Sequence, residues 1–216
     1  MDTDKLIEAL AADARPIRPL APLSRRVTAW LAVALSAVAM VVGLMGLRPD
    51  LAGKLSEAMF ALQQVAALGT AIAAAVAALA AGVPGERRWK LWLPSVPLAV
   101  WLGSLGHQCW QEWLRLGSHG MEFHPDFACV PGIAMVGLVP AVAMVVMLRR
   151  GAPFHPRTMM ALGTLAAAAL ADFGLRLFHA ADAALMVLVW QMGTVVLFTA
   201  VAGLAGPTVL AARGRM

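Results

Sequence analysis

The sequence predicts an all-α membrane protein: six transmembrane helices in one antiparallel bundle, with a short cytoplasmic N-terminal segment in front. Three observations lead there. The 216 residues are 61% hydrophobic and only 13% charged, about half the charged share of an ordinary soluble domain. Mean hydropathy is +0.76. Apolar runs of about 20 residues recur along the chain, the length a helix needs to cross the hydrocarbon core of a bilayer. A membrane β-barrel would instead show alternating segments of about 10 residues, and the sequence has none.

The expected spans are 27–47, 58–82, 91–110, 128–148, 158–178 and 183–204. They divide the chain into a head (1–26), a membrane domain (27–210) and a short tail (211–216). Short loops between spans favour antiparallel neighbours. The second span reads "AALGTAIAAAVAALAAG". Side chains this small let helix backbones approach closely in lipid, which suits a central packing helix better than a substrate path. Pro94 and Pro97 in the third span, and Pro131 and Pro140 in the fourth, predict kinks. Trp30, Trp89, Trp92, Trp101, Trp110 and Trp113 fall mostly near span ends, as an interfacial aromatic belt would.

Basic residues set the orientation. Of the 17 Lys and Arg, 13 fall in the head, the second and fourth loops and the tail, and 4 fall in the segments between. The richer side is cytoplasmic by the positive-inside rule, which places both termini there. The isoelectric point near 10.2 therefore reflects topology. Nothing forms the basic stripe of a nucleic-acid binder, so no direct nucleic-acid contact is expected. The first 26 residues carry Asp2, Asp4, Glu8 and Asp13, unlike the basic start of a cleaved signal peptide.

The head has two parts. "DTDKLIEALAADA" reads as a short amphipathic helix, with Leu6, Ile7 and Leu10 sharing a face and an acid-rich start that favours the helix dipole. Such a helix is too short to be stable alone in water. "RPIRPLAPLSRR" cannot continue it, because proline lacks the amide donor. Its proline at every third position matches polyproline II: Pro16, Pro19 and Pro22 form one ridge, and Ile17, Leu20 and Leu23 a second. One reading is a stiff spacer with a topology signal. The other is a peptide that folds onto a soluble cytoplasmic partner through Leu6, Ile7, Leu10, Asp13, Pro16, Arg18 and Leu20. The second is preferred, since a spacer needs no apolar ridges. Membrane-surface helices usually carry Lys and Arg on their polar face, whereas this one carries Asp and Glu.

The outer face gathers soft ligands. "HQCWQEWLRLGSHGMEFHPDFAC" and the start of the last loop bring Cys109, Cys129, His107, His119, His124 and His179 to one boundary, with Glu112, Glu122, Asp126 and Asp182. Thiolate and imidazole suit soft or borderline metals, and thiols also take oxidants. A structural disulfide, two unrelated packing cysteines, and a sensing site that takes a transient metal ion all remain open on the residues alone. Asp172 and Arg176, four apart in the fifth span, are ionisable at membrane depth and read as an i, i+4 couple. Gln63, Gln64, Gln108 and Gln191 are candidates for polar contacts between helices. No Walker, HExxH or GxSxG motif with its context is present, so no enzyme and no resident cofactor are expected, and no feature specifies an oligomeric state.

"DKLIEALAADARPIRPLAPLSRR", "GLRPDL" closing the first span, "RRGAPFHPR" before the fifth, and "LVW" ahead of a "GP" close in the sixth resemble the NrsF family over nearly the whole chain. These are six-span anti-sigma factors of the bacterial inner membrane, negative regulators of extracytoplasmic-function sigma factors. The resemblance implies that the head holds such a sigma factor away from RNA polymerase. It also implies that outer-face cysteines answer heavy metals or oxidative stress by releasing it. Cys129 stands where the family has a cysteine. The family's second cysteine follows a histidine after the fifth span; here "FHAAD" keeps His179 and places Ala180 beside it, with Cys109 as the candidate substitute. The rivals are a small six-helix transporter or channel and a membrane redox protein, neither of which uses the head.

Overall fold

The computed structural model describes residues 3–12, 20–117, 129–152, 154–180 and 183–211. Among them every regular element is helical: α1 (Thr3–Ala12), α2 (Leu23–Met45), α3 (Leu51–Ser56), α4 (Ala58–Ala80), α5 (Ser95–Leu116), α6 (Cys129–Leu148), α7 (Pro156–Leu175), α8 (Ala184–Met186) and α9 (Gly193–Ala211). A 3-10 turn, Arg88–Trp92, leads into α5, and a π-helical turn, Val187–Met192, joins α8 to α9. The short helix α3 and the π turn have no counterpart in the sequence reading.

Five stretches are long and apolar enough to cross a membrane: α2, α4, α6 from Val130, α7, and the π turn continued by α9. α5, at the place of the expected third span, is not among them. It is 22 residues long, but His107, Gln108, Gln111, Glu112 and Arg115 load its second half with polar groups. It also begins later than the expected span, at Ser95, after Pro94. It ends where Gly117 takes a φ of 58°, a left-handed conformation that glycine adopts without a Cβ penalty.

α4 and α7 form the centre. Ala67, Ala71, Ala74, Ala75 and Ala78 of α4 are completely buried, as are Ala166, Ala169 and Ala171 of α7. Runs of methyl groups this small give no deep interdigitation. They let backbones close up, and van der Waals contact then replaces the hydrophobic drive that lipid cannot supply. The pairings are close: Gly132 lies against Leu175, Gly137 against Ala171, Gly163 against Met144, and Gly203 against Ala161. Gly206 is the tightest, because a Cβ there would sit 2.4 Å from the Pro156 carbonyl oxygen.

Two expectations about large and cyclic residues change. Trp30 and Trp101 are fully buried, and the Trp30 indole donates to the Pro140 carbonyl at 3.0 Å. They are core residues; the exposed Trp89, Trp92, Trp110 and Trp113 keep the belt pattern. Of the four prolines expected to kink helices, Pro94 precedes α5 and Pro97 and Pro131 lie in first turns, where no intrahelical amide is needed. Only Pro140 is interior to its helix, and Pro207 lies inside α9.

Hydrogen bonds tie the helices together at both ends. At one end Arg26 donates to the Leu79 carbonyl at 3.3 Å, Arg149 donates twice to Val209 O at 3.1 and 2.9 Å, and the Ala152 amide donates to Gly82 O. Leu79 and Val209 lie in the last turns of α4 and α9, so two basic side chains cap C-terminal carbonyls and complement the helix dipoles. At the other end the Arg48 amide donates to Leu177 O at 3.0 Å.

Candidate functional site

Two regions hold the residues singled out by sequence. The first is the head. In α1 no residue is buried. Leu6, Ile7 and Leu10 are 40%, 59% and 65% exposed. At 100° per residue these three share one side, and Asp4 and Glu8 lie half a turn away from Leu6 and Leu10. Asp4 sits in the first turn, at the positive end of the dipole. Leu20 is exposed as well. Pro22, the last proline of the stretch, has φ −49° and ψ 145°, in the polyproline region. Asp13, Pro16 and Arg18 lie outside the described residues.

The second region is the far end of the bundle. Arg48 is 4% exposed and forms a fork on Asp50, with Nε to Oδ1 at 2.7 Å and Nη2 to Oδ2 at 2.8 Å. That guanidinium holds the Asp50 carboxyl below its ordinary range. The Arg48 and Arg176 guanidinium groups both lie over the Phe60 ring, at 5.9 and 4.7 Å from its centroid, a cation–π arrangement. Arg176 Nη1 donates to Gln63 Oε1 at 2.7 Å, Gln63 Nε2 to Gln108 Oε1 at 2.8 Å, and Gln108 Nε2 to Glu112 Oε1 at 3.2 Å. Gln64 Nε2 donates to Phe173 O at 3.2 Å. A polar chain therefore runs from the end of α7 through α4 to α5, and it links α5, the helix too polar to qualify as a span on its own composition, to the apolar centre.

The expected Asp172–Arg176 couple takes a different form. Both are buried, at 0% and 2% exposure, but Arg176 reaches across to Gln63. Neither oxygen of Asp172 accepts a hydrogen bond from the described residues. The two still attract each other as charges one helical turn apart, while a hydrogen bond from Arg176 Nη1 goes to a neutral amide on the facing helix.

The Cys/His set is only partly brought together. Cys109 lies on the side of α5 that carries Leu105, Gln108 and Glu112, and is half-buried. His107, two residues earlier and so on the opposite side, is exposed and contacts Gln111 at 2.9 Å. His179 follows α7 and donates its amide to Leu175 O at 2.8 Å. His119 and His124 lie outside the described residues, as does the side chain of Cys129. Among the described residues no three His, Cys, Asp or Glu side chains gather where they could hold a metal ion. Phe60 and Arg48 were not singled out by sequence. The nearest signal was the Arg-Pro-Asp of "GLRPDL", whose Arg48 and Asp50 now form the fork.

Among the described residues every regular element is helical, and five stretches are long and apolar enough to cross a bilayer, which points to a multi-pass membrane protein. Its kind is fixed by comparison with known families. The profile of NrsF, negative regulator of sigma F, matches residues 10–211, and the chain belongs to that family. A sigma factor is accordingly its implied partner. The match takes in Leu10, while Leu6 and Ile7 precede it. No curated protein and no solved structure matches the chain.

Proposed function

We propose that this chain is an anti-sigma factor of the bacterial inner membrane that holds an extracytoplasmic-function sigma factor through its head. The observation that carries this is α1: a helix whose Leu6, Ile7 and Leu10 face is left uncovered. An isolated helix of 10 residues is marginal in water, so the face gains its stability from a partner. Acids on the other side keep the free head soluble, and they disfavour adhesion to an anionic membrane surface.

The membrane arrangement in this proposal is six antiparallel spans with both termini cytoplasmic. Gln63 facing Gln108, and Gly69 facing Pro97, support α5 running antiparallel to α4 between Pro97 and Gln108. The polar chain to Gln63 offsets the cost of the polar half of α5. The grouping of Arg26, Arg149 and the loop after α4 at one end agrees with the distribution of basic residues. On this topology Cys109 and Cys129 open toward the oxidising side, and metal or oxidative stress there releases the sigma factor. Cys109 shares its helix face with Gln108 and Glu112, so modification of its thiol would press on the chain that fixes α5 to α4.

The test is a reporter for the sigma regulon in the source bacterium. Ile7→Asp is expected to raise basal expression to the level of a deletion while the protein still inserts in the membrane. Cys129→Ser is expected to keep repression and to blunt induction by oxidants or heavy metals. Full repression by the Ile7→Asp protein would refute the role of the head, and normal induction in Cys129→Ser would leave that cysteine a structural residue.

A further inference from the structure

A long apolar groove of about 740 Å³ lies open between α5, α7 and α9. Its walls are Leu98 and Leu102 of α5, Leu165 of α7, and Val196, Ala200 and Leu204 of α9. Val196 and Leu204 are 64% and 76% exposed. The groove runs along α7 from Arg157 to Leu165, about 12 Å at the helical rise, close to the depth of one bilayer leaflet.

Only one end of it is charged. Arg157 and Thr158, in the first turn of α7, close the groove there, and no carboxylate lines it. The first turn of α7 contains no acid, and His155 before it provides no side-chain cap. Pro156 has no amide and the Met159 amide donates to His155 O at 2.9 Å, so the amides of Arg157 and Thr158 are the two in that turn without an intrahelical acceptor. A guanidinium, a hydroxyl and unpaired amides at a helix start together suit a phosphate oxygen.

We propose that this groove binds one anionic phospholipid, with the headgroup phosphate on Arg157 and the start of α7 and an acyl chain lying between α5, α7 and α9. The shape takes the chain and the charged end selects the headgroup. This site is separate from the head and from the polar cluster at the far end. It would tie α5 to α7 and α9 at the cytoplasmic boundary, where the polar chain through Gln63 does not reach.

The test uses the full chain in a neutral detergent, with bound lipid counted by native mass spectrometry. The probes are palmitoyl-oleoyl phosphatidylglycerol and the matching phosphatidylcholine. Retention of the anionic lipid is expected to be about fivefold higher, the weight of one basic residue at an anionic headgroup. Arg157→Gln should erase that preference and Arg157→Lys should keep most of it. Ala200→Phe, at an exposed wall position, should lower retention of both lipids by filling the groove. Equal retention of the two lipids, or a preference that survives Arg157→Gln, would overturn the proposal. So would glycerol phosphate competing as well as the whole lipid, since the groove would then be idle.

Discussion

α1 and α4 draw on the same residues, chiefly alanine and leucine, and end in opposite states. None of the 10 residues of α1 is buried, whereas 13 of the 23 in α4 are. α4 meets α2, α5, α6 and α7, and its methyl groups are spent inside the molecule. α1 keeps its apolar face outward. The difference separates two states of the same residues: α4 buries its methyl groups against neighbouring helices, and α1 leaves its apolar face exposed, which is where the proposed function seats the sigma factor.

The comparison breaks most severely at the closest approach in the bundle. Gly206→Ala forces a Cβ to 2.4 Å from a backbone oxygen of Pro156, so α9 must move away from α7. A loss of about 3 kcal/mol or more is expected, read as loss of monodisperse protein in detergent. A variant that purifies and melts like the parent would mean that the ends of α7 and α9 are not held as described.

The head behaves in the opposite manner. Leu10→Asp should leave the thermal midpoint unchanged, since Leu10 is 65% exposed. Sigma-factor retention should drop by roughly tenfold or more, the value of burying one leucine side chain at an interface. A fall in midpoint with retention intact would reverse the assignment of the two regions.

Smaller effects belong to the far end. Gln63→Leu removes the link between Arg176 and Gln108. About 1 kcal/mol is expected, the scale of interhelical hydrogen bonds in membranes, seen as a lower midpoint in detergent with retention by the head unaltered. The smallest effect concerns Asp50. Its carboxyl pKa is lowered first by the hydrogen bond from Arg48, so the stabilisation is present above the unfolded value near 3.9. It is lost as pH falls through the lower folded value. Asp50→Asn should therefore show a small midpoint deficit at neutral pH that closes below about pH 4. Since Asp50 is 53% exposed, added salt should shrink that deficit too.

Much of this was legible in the sequence, for physical reasons that differ by region. α2, α4, α6 and α7 announce themselves because span length is set by bilayer thickness, and the alanine run of α4 predicts close packing because small residues have little other use at that density. The helix of the head was legible because its apolar spacing is a local pattern; Pro16 and Pro19 of the proline stretch lie outside the described residues. Contacts between distant segments were not. Arg176 and Gln63 lie 113 positions apart, and nothing in helical spacing tells an arginine that shares a helix with Asp172 to hydrogen-bond a glutamine on the facing helix. Trp30 sits near the start of its expected span, so a belt was the natural expectation there, whereas Trp101 falls at the middle of 91–110; only the path of α6 past Pro140 shows why Trp30 turns inward. Arg26 and Arg149 read as topology signals, and the fold uses them also as caps for α4 and α9. The π turn at Val187–Met192 has no local signature of proline or glycine within it.

The measurement that tests the central claim most directly is a pull-down from a lysate of the source bacterium, under reducing conditions. The full chain in detergent is compared with a version lacking residues 1–22, which leaves α2 and the Arg26 cap on Leu79 intact. The account predicts that a sigma factor co-purifies with the full chain alone, while both versions remain folded and monodisperse. Equal retention of a sigma factor by the shortened chain would contradict it and would move the binding site into the bundle and its loops.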